Sequence, residues 1–87
     1  MGGMLHYDLT DLRLLLVLER CRTLAAAAEE LHLTSSALSL RLKNLEERMG
    51  ALLFERTSKG LAATPAGEAL SREARGVLER AAALEAA

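Results

Sequence analysis

Aromatic residues are almost missing from this sequence, which has one tyrosine, one phenylalanine and no tryptophan among 87 residues. Its core must therefore be built from leucine, alanine and valine, and this composition favours helices. Only one proline and six glycines are present, which leaves room for long uninterrupted helices. The length suits one small domain near the lower limit for a self-supporting core, so a partner chain could help to complete it.

Long apolar runs are also missing. No run reaches the roughly 18 residues that a membrane span needs, and the start at Met1 lacks the basic and apolar regions of a signal peptide. We therefore expect a cytoplasmic protein without membrane contact. Cys21 is the only cysteine, so an intramolecular disulfide is excluded. We interpret it as a small hydrophobic residue, with a redox role as the minor alternative, because Arg20 and Arg22 could lower its pKa.

Residues for catalysis or metal binding are equally scarce. His6 and His32 are the only histidines, and no cysteine or carboxylate cluster joins them at metal-ligand spacing. The glycine motifs that bind phosphates are absent, and no pattern sets a nucleophile beside a base. We predict no metal site, no cofactor and no enzymatic activity.

The net charge of −1 argues by itself against a nucleic-acid partner, but the charges are unevenly distributed. Residues 1–33 carry three arginines against five carboxylates, a net charge of −2. Residues 34–60 carry five basic residues against three acidic ones, a net charge of +2. Nonspecific affinity for DNA scales with the number of phosphates neutralised, so this modest excess predicts weak nonspecific binding.

Apolar residues at helical spacing predict three helices in the first half of the chain, over about 9–21, 24–32 and 35–49. Asp8, Thr23 and Thr34 are suitable N-caps for them. Gly50 stands where a helix commonly ends in a left-handed residue. In the third helix the spacing turns Leu38, Leu42 and Leu45 inward. Two helices joined by a short turn can present the second helix to the major groove, although proteins that do not bind DNA use this unit too.

After Gly50 the apolar residues no longer repeat at helical spacing. Residues 52–56 and 61–64 can each extend, with residues 57–60 as the turn between them, which predicts a short β-hairpin, or wing. Thr64 then caps a fourth helix that opens with Pro65 at its first position. About 22 residues would give this helix a length of roughly 33 Å. Its apolar positions have the spacing of a coiled-coil seam: Leu70, Ala74, Val77, Ala81 and Leu84.

Four segments of the chain, taken together, resemble a known family. They are residues 8–13 (DLTDLR), 23–34 (TLAAAAEELHLT), 36–46 (SALSLRLKNLE) and 50–67, which opens with GALLFER and closes with LAATPAG. In this order and at this spacing the chain is similar to the N-terminal part of LysR-type transcriptional regulators. The match covers nearly the whole sequence.

The resemblance implies a mainly α fold, a winged helix-turn-helix of three helices and a short β-hairpin wing, followed by a long C-terminal dimerisation helix. Residues 7–64 would form the DNA-binding domain, with the helix-turn-helix at about 24–43, and residues 65–87 the linker helix. A homodimer would bind inverted-repeat promoter or operator DNA at the nucleoid. The larger effector-binding domain of the family has no counterpart here, so we expect an excised module or an unusually short protein.

The resemblance also assigns residues to DNA. On the third helix the positions that read bases in the family map onto Ser35, Ser36, Ser39 and Leu40. In addition, Thr34 can offer its amide or hydroxyl to a phosphate, and Arg41 and Lys43 can reach a guanine edge or the backbone. In the wing the residues assigned to DNA are Arg56, Thr57 and Lys59, for which the alternatives are an ordinary solvated turn and, for Arg56, an ion pair with a helix carboxylate. The family commonly has glutamine at position 35 and arginine or glutamine at position 40. Leu40 has two interpretations: contact with a thymine methyl group, or no role in recognition, with the side chain folding back onto the domain or merely tolerated at the surface.

Two other functions compete with this interpretation. A helical module that pairs protein chains without touching DNA agrees with the low net charge and the long seam. A winged helix of the molybdate-regulator or multiple-antibiotic-resistance type would still bind DNA. The junction Thr64-Pro65-Ala66-Gly67 argues against both of those winged-helix families.

Overall fold

A computed structural model describes residues 7–87, which form four helices and one antiparallel two-stranded hairpin. The elements are α1 (Leu9–Cys21), α2 (Leu24–Glu30), α3 (Ser35–Met49), β1 (Phe54–Thr57), β2 (Gly60–Ala63) and α4 (Pro65–Ala86). This order confirms the predicted mainly α fold with three helices, a wing and a long final helix. The bounds of α1 and α3 are those that the apolar spacing predicted.

Each helix begins at the predicted cap. The Asp8 carboxylate accepts from the Asp11 amide at 2.9 Å, and the Asp11 carboxylate accepts from the Asp8 amide at 3.1 Å, which closes a capping box. Thr23, Thr34 and Thr64 each accept from the amide three residues on, at 3.0 to 3.1 Å. A cap of this kind stabilises a helix by about 1 kcal/mol. Side chains of four residues therefore fix where the helices start.

The second helix is shorter than predicted. It ends at Glu30 instead of His32, because His32 adopts a left-handed conformation with φ 58°. The Leu33 amide then donates to the Ala28 carbonyl at 2.8 Å, and the His32 amide donates to the Glu29 carbonyl at 3.2 Å. These two bonds are those of a Schellman motif, which closes a helix sharply. The turn of the helix-turn-helix is therefore built on His32.

The hairpin also differs from its predicted bounds. The strands begin two residues later on β1 and one residue earlier on β2, with Phe54 opposite Ala63 and Thr57 opposite Gly60. Leu53 lies outside the hydrogen-bonded pairing of the two strands, because its amide and carbonyl bond to other groups. Its amide donates to the Glu46 carboxylate at 2.7 Å, and its carbonyl accepts from the Thr64 amide at 3.0 Å. These contacts tie the wing to α3 and to the start of α4.

The core consists of leucines of α1 and α3 with Leu53, Phe54 and small residues of α2 and α4. The N-terminal half of α4 packs on α1, where Gly67, Ser71 and Ala74 are buried. A Cβ at Gly67 would lie 2.0 Å from the Leu53 carbonyl oxygen, so the close approach of α4 to this loop requires glycine. Within residues 7–87, no helix is both long enough and apolar enough to cross a bilayer.

Candidate nucleic-acid interface

The outward face of α3 is set by the leucines that hold its other side in the core. Leu38, Leu42 and Leu45 are buried, as predicted. At 100° per residue, Leu40 points roughly 165° around the axis from their mean direction. Ser36 and Lys43 flank it one turn before and one turn after. The helix therefore presents this face directly away from the domain.

The α3 residues predicted to contact DNA are accessible, with Ser35 and Arg41 on the flanks of the face that is centred on Leu40. Thr34, Ser35, Ser36, Leu40, Arg41 and Lys43 are exposed, and Ser39 is half-buried. Leu40 is 58% exposed, so its side chain does not fold back onto the domain; contact with a thymine methyl group and a merely tolerated surface leucine both agree with this exposure. The Thr34 hydroxyl accepts from the Ala37 amide at 3.0 Å and keeps its own proton available for donation.

Acidic side chains of α3 are kept away from the N-terminal part of this face. Its carboxylates, Glu46 and Glu47, both lie in the C-terminal half of the helix. Glu46 is turned into the fold, where it accepts from the amides of Leu53 and Phe54 at 2.7 and 3.3 Å. Arg48 is engaged with the buried Asp11 at 3.3 Å. The exposed cations of the helix that remain are Arg41 and Lys43, and neither has an ion-pair partner within residues 7–87.

The wing carries two further cations. Arg56 and Lys59 are exposed, and in the part of the chain that the structure describes no carboxylate lies within ion-pair distance of either. The ion pair suggested for Arg56 is therefore not formed. Arg56 and Thr57 line a shallow depression with Thr23 and Gly60 between the wing and the start of α2. The wing thus lies beside the entry to the helix-turn-helix.

Thr57 has a structural role that the sequence did not reveal. Its hydroxyl donates to the Gly60 carbonyl at 2.8 Å and accepts from the Lys59 amide at 3.1 Å. A threonine has one O–H donor, so the phosphate contact predicted for Thr57 would require this turn bond to break. Thr57 shapes the hairpin that displays its neighbours Arg56 and Lys59.

Arg22 belongs to the same surface and was missed by the sequence reasoning. It adopts φ 67° after α1, and its carbonyl accepts from the Leu61 amide at 2.6 Å. Arg22 is exposed and lines a groove together with Thr57 and Lys59, which Glu19 and Glu68 also line. Arginine is uncommon at positive φ, so nothing in the sequence marked this turn except its position between two helices.

The predicted seam of α4 divides into two parts. Ala74 is 1% exposed and Leu70 packs against the core, so both face α1 of the same chain. Val77 is 43% exposed, Leu84 is 77% exposed, and Ala81 between them is half-buried. Ala74 can therefore serve a dimer only by holding α4 in place. The accessible apolar positions lie on the distal half of the helix.

Cys21 is not activated. Burial is the main factor that raises the pKa of its thiol, and Glu30, whose carboxylate lies 3.5 Å from the sulfur, raises it further. Arg20 lowers it only slightly, because its guanidinium is paired with Glu30. The thiol is thus a poor nucleophile at neutral pH. Within residues 7–87, no three histidine, cysteine or acidic side chains form a group that could hold a metal; His6 lies outside the described residues.

Comparison with known proteins gives a family match over most of the chain. The family model described as "Bacterial regulatory helix-turn-helix protein, lysR family" matches residues 9–68. The transcriptional regulator MetR of Escherichia coli (strain K12) is 46% identical over 71 residues, which are 82% of this chain and 22% of MetR. The RuBisCO operon transcriptional regulator of Acidithiobacillus ferrooxidans is 40% identical over 75 residues, which are 86% of this chain and 24% of that regulator.

The fold is also similar to that of solved structures. The crystal structure of the CbnR DNA-binding domain in complex with DNA superposes with a TM-score of 0.84 at 29% identity, covering 91% of each chain. The present chain spans about a quarter of the length of the curated relatives it matches.

Proposed function

Because the chain belongs to the lysR family of bacterial regulatory helix-turn-helix proteins, we propose that it binds double-stranded DNA as a homodimer and regulates transcription. The observation that carries the proposal is the outward face of α3. It combines small hydroxyl side chains with the cation Lys43, and Arg41 lies on its flank; both cations are unpaired in the described part of the chain. Glu46 is turned into the fold, and the exposed Glu47 lies only at the C-terminal end of the face. We propose no catalysed reaction for the protein, and we place it in the cytoplasm, at the nucleoid.

The N-terminal turns of α3 would enter the major groove. The first turn of α1 contains Asp11 and that of α4 contains Glu68, but the first turn of α3 contains no acidic residue. The positive end of the α3 dipole and its free amides therefore remain available to a phosphate. Arg41 and Lys43 can reach a guanine edge or the backbone. The serine hydroxyls can donate or accept, so they discriminate weakly between bases.

The wing would contact the flanking backbone. Arg56 and Lys59 are unpaired within residues 7–87, and Arg22 lines the same groove as Lys59, together with Glu19 and Glu68. Contacts of this kind fix the position and register of the protein on the duplex without carrying sequence information. We therefore propose that specificity comes from α3 and that the wing supplies affinity.

Two copies would pair through the distal part of α4, residues 65–87 forming the linker helix that follows the winged domain of residues 7–64. Val77, Ala81 and Leu84 offer the apolar surface for this contact. A two-fold dimer would place two α3 helices in successive major grooves, roughly 34 Å apart, and would select inverted repeats. The full regulator would also carry the effector-binding domain of the family, through which a small molecule would control transcription.

The test is binding to duplex DNA at several salt concentrations. We expect selection from a random duplex pool to enrich an inverted repeat, and affinity for that duplex to fall as salt rises. Replacing Arg56 or Lys59 by glutamine should reduce the salt slope by about one each and weaken binding to all sequences alike. The matched control is Arg72→Gln, which removes an equivalent charge from the exposed side of α4 opposite the seam and should leave the slope unchanged.

The competing interpretation, a helical pairing module that never contacts DNA, predicts a different result. It expects a dimer in solution but no enriched sequence and no salt-dependent shift. Absence of any salt-dependent binding by the wild type would favour this interpretation, whereas equal non-zero slopes for the wild type, Arg56→Gln and Arg72→Gln would remove only the proposed contact of Arg56 with phosphate.

A further inference from the structure

Building on the proposed function, we propose that Leu40 recognises the 5-methyl group of thymine, so that a leucine determines part of the operator sequence. An exposed leucine alone is ordinary on a protein surface. Three features of α3 give this one a specific partner: its direction, the size of its neighbours and the chemistry of the groove that the helix would enter.

The direction is that of closest approach to DNA. Leu40 lies roughly opposite the mean direction of the three buried leucines of α3, and 58% of its surface is accessible. Ser36, one turn before it, and Ser39 beside it are short. Leucine is therefore the longest side chain in the middle of the presented face. When α3 lies in a groove, Leu40 reaches the base edges before the neighbouring serines do.

The chemistry of the groove then selects the base. A leucine side chain has neither a donor nor an acceptor, and the only apolar group on the major-groove edges of the four bases is the thymine 5-methyl. Packed against any other edge, Leu40 would cover a polar atom and leave it without a hydrogen bond, which is unfavourable. Ser36 and Ser39 cannot supply the missing hydrogen bond to that polar atom, because their side chains are too short to reach past the leucine. Thymine is the base that this position favours.

The experiment combines two proteins with two forms of the same DNA. The probe is the duplex enriched by the 87-residue chain from a random pool, in which each thymine is replaced in turn by uracil, which lacks only the methyl group. We expect the wild type to lose roughly fourfold in affinity per half-site at one thymine position, the contribution of one buried methylene-sized group. Leu40→Ala should bind the thymine and uracil duplexes equally at that position.

A second arm separates the methyl group from the rest of the base. At the sensitive position, a C·G pair and a 5-methylcytosine·G pair differ by that methyl alone. The wild type should prefer the methylated pair roughly fourfold, and Leu40→Ala should not distinguish them. Leu52→Ala is the control, since Leu52 is an equally exposed leucine off the α3 face and its removal should leave both preferences intact.

The outcomes distinguish this inference from the function on which it rests. If no sequence is enriched and no salt-dependent binding occurs, both fall together. If the chain selects a sequence but uracil is tolerated everywhere, or Leu40→Ala keeps the sensitivity of the wild type, DNA binding stands and the role of Leu40 is refuted. Circular dichroism of Leu40→Ala checks that the exposed substitution leaves the helices intact.

Discussion

The Arg22 carbonyl oxygen accepts a hydrogen bond from the Leu61 amide at 2.6 Å, and this bond joins the turn after α1 to the second strand of the wing. Gly60 lies directly beside it, at φ 113°. A Cβ on residue 60 would stand 2.4 Å from the same carbonyl oxygen. The contact between the first turn and the wing therefore depends on the absence of a side chain at residue 60.

The first prediction concerns that glycine. We expect Gly60→Ala to lower the free energy of unfolding by at least about 3 kcal/mol, because it combines backbone strain with a clash against backbone. Gly50→Ala is the matched control. Its φ of 73° is also positive, but a Cβ there meets no heavy atom of residues 7–87 within 4 Å, so only about 1 kcal/mol should be lost. Urea denaturation measures both, and equal losses would show that the Arg22 contact has no part in stability.

The second prediction compares two glycines of α4. Alanine normally stabilises a helix interior by about 1 kcal/mol relative to glycine. Gly76→Ala should show this gain, since its Cβ would have no neighbouring heavy atom of residues 7–87 within 4 Å. Gly67→Ala should instead lose about 3 kcal/mol, because the clash with the Leu53 carbonyl forces α4 and the loop apart. A gain in unfolding free energy for both variants would contradict the close approach of α4.

The third prediction concerns Ser71, a fully buried residue whose hydroxyl has no hydrogen-bond partner among residues 7–87. A buried hydroxyl without a partner is unfavourable by roughly 1 to 3 kcal/mol. Ser71→Ala should therefore raise the free energy of unfolding by about 1 to 2 kcal/mol. Ser36→Ala, on the exposed face of α3, isolates the difference in helix propensity between serine and alanine. It should change the free energy of unfolding by only a few tenths of a kcal/mol. A destabilised Ser71→Ala protein would mean that the hydroxyl is satisfied.

The fourth prediction is a pH dependence. The Arg20 guanidinium, which donates to the Glu30 carboxylate, is the main factor that holds the pKa of that carboxyl below its ordinary value of 4.5. Because the pKa is lowered in the folded state, the pair stabilises the protein above the ordinary value, and this contribution disappears as pH falls through the lowered one. The difference in melting temperature between wild type and Glu30→Gln should thus be present at neutral pH and vanish in acid. The difference in melting temperature between wild type and Arg20→Gln should depend on pH in the same way. A difference that grows on acidification would refute the pairing of Arg20 with Glu30.

The fifth prediction tests the distal seam of α4. Val77→Asp places a charge on the accessible apolar stripe and should raise the dimer dissociation constant at least roughly tenfold, since a carboxylate would replace a valine that the second copy is proposed to cover. Ala83→Asp introduces the same charge on another face of the helix and should change the constant by less than about twofold. Sedimentation equilibrium measures both. Equal effects of the two substitutions would place the dimer contact elsewhere.

Local chemistry made the helix starts and the inward face of α3 predictable. Asp8, Thr23, Thr34 and Thr64 act within three residues of themselves, so their roles can be identified from the sequence. Ala74 shows the opposite situation. A helix that packs on its own domain and a helix that packs on a second chain repeat apolar residues at the same intervals, so spacing alone could not assign Ala74 to the core of one chain.

The residues that sequence reasoning missed act across distance in the chain. Glu46 was counted only as a charge, yet it binds amides seven and eight residues later. Arg22 receives a bond from a residue on the wing. Neither role has a local pattern, because each depends on the packing that brings separate segments together.

The Glu46 carboxylate also has a mechanical consequence. This one side chain of α3, the helix proposed to enter the groove, accepts from two backbone amides where the hairpin begins, so α3 and the hairpin are joined by direct hydrogen bonds. A duplex that tilted α3 would drag the wing with it, and a wing displaced by a bent phosphate backbone would twist α3. Sequences that bend easily would then be favoured even at base pairs that no side chain reaches.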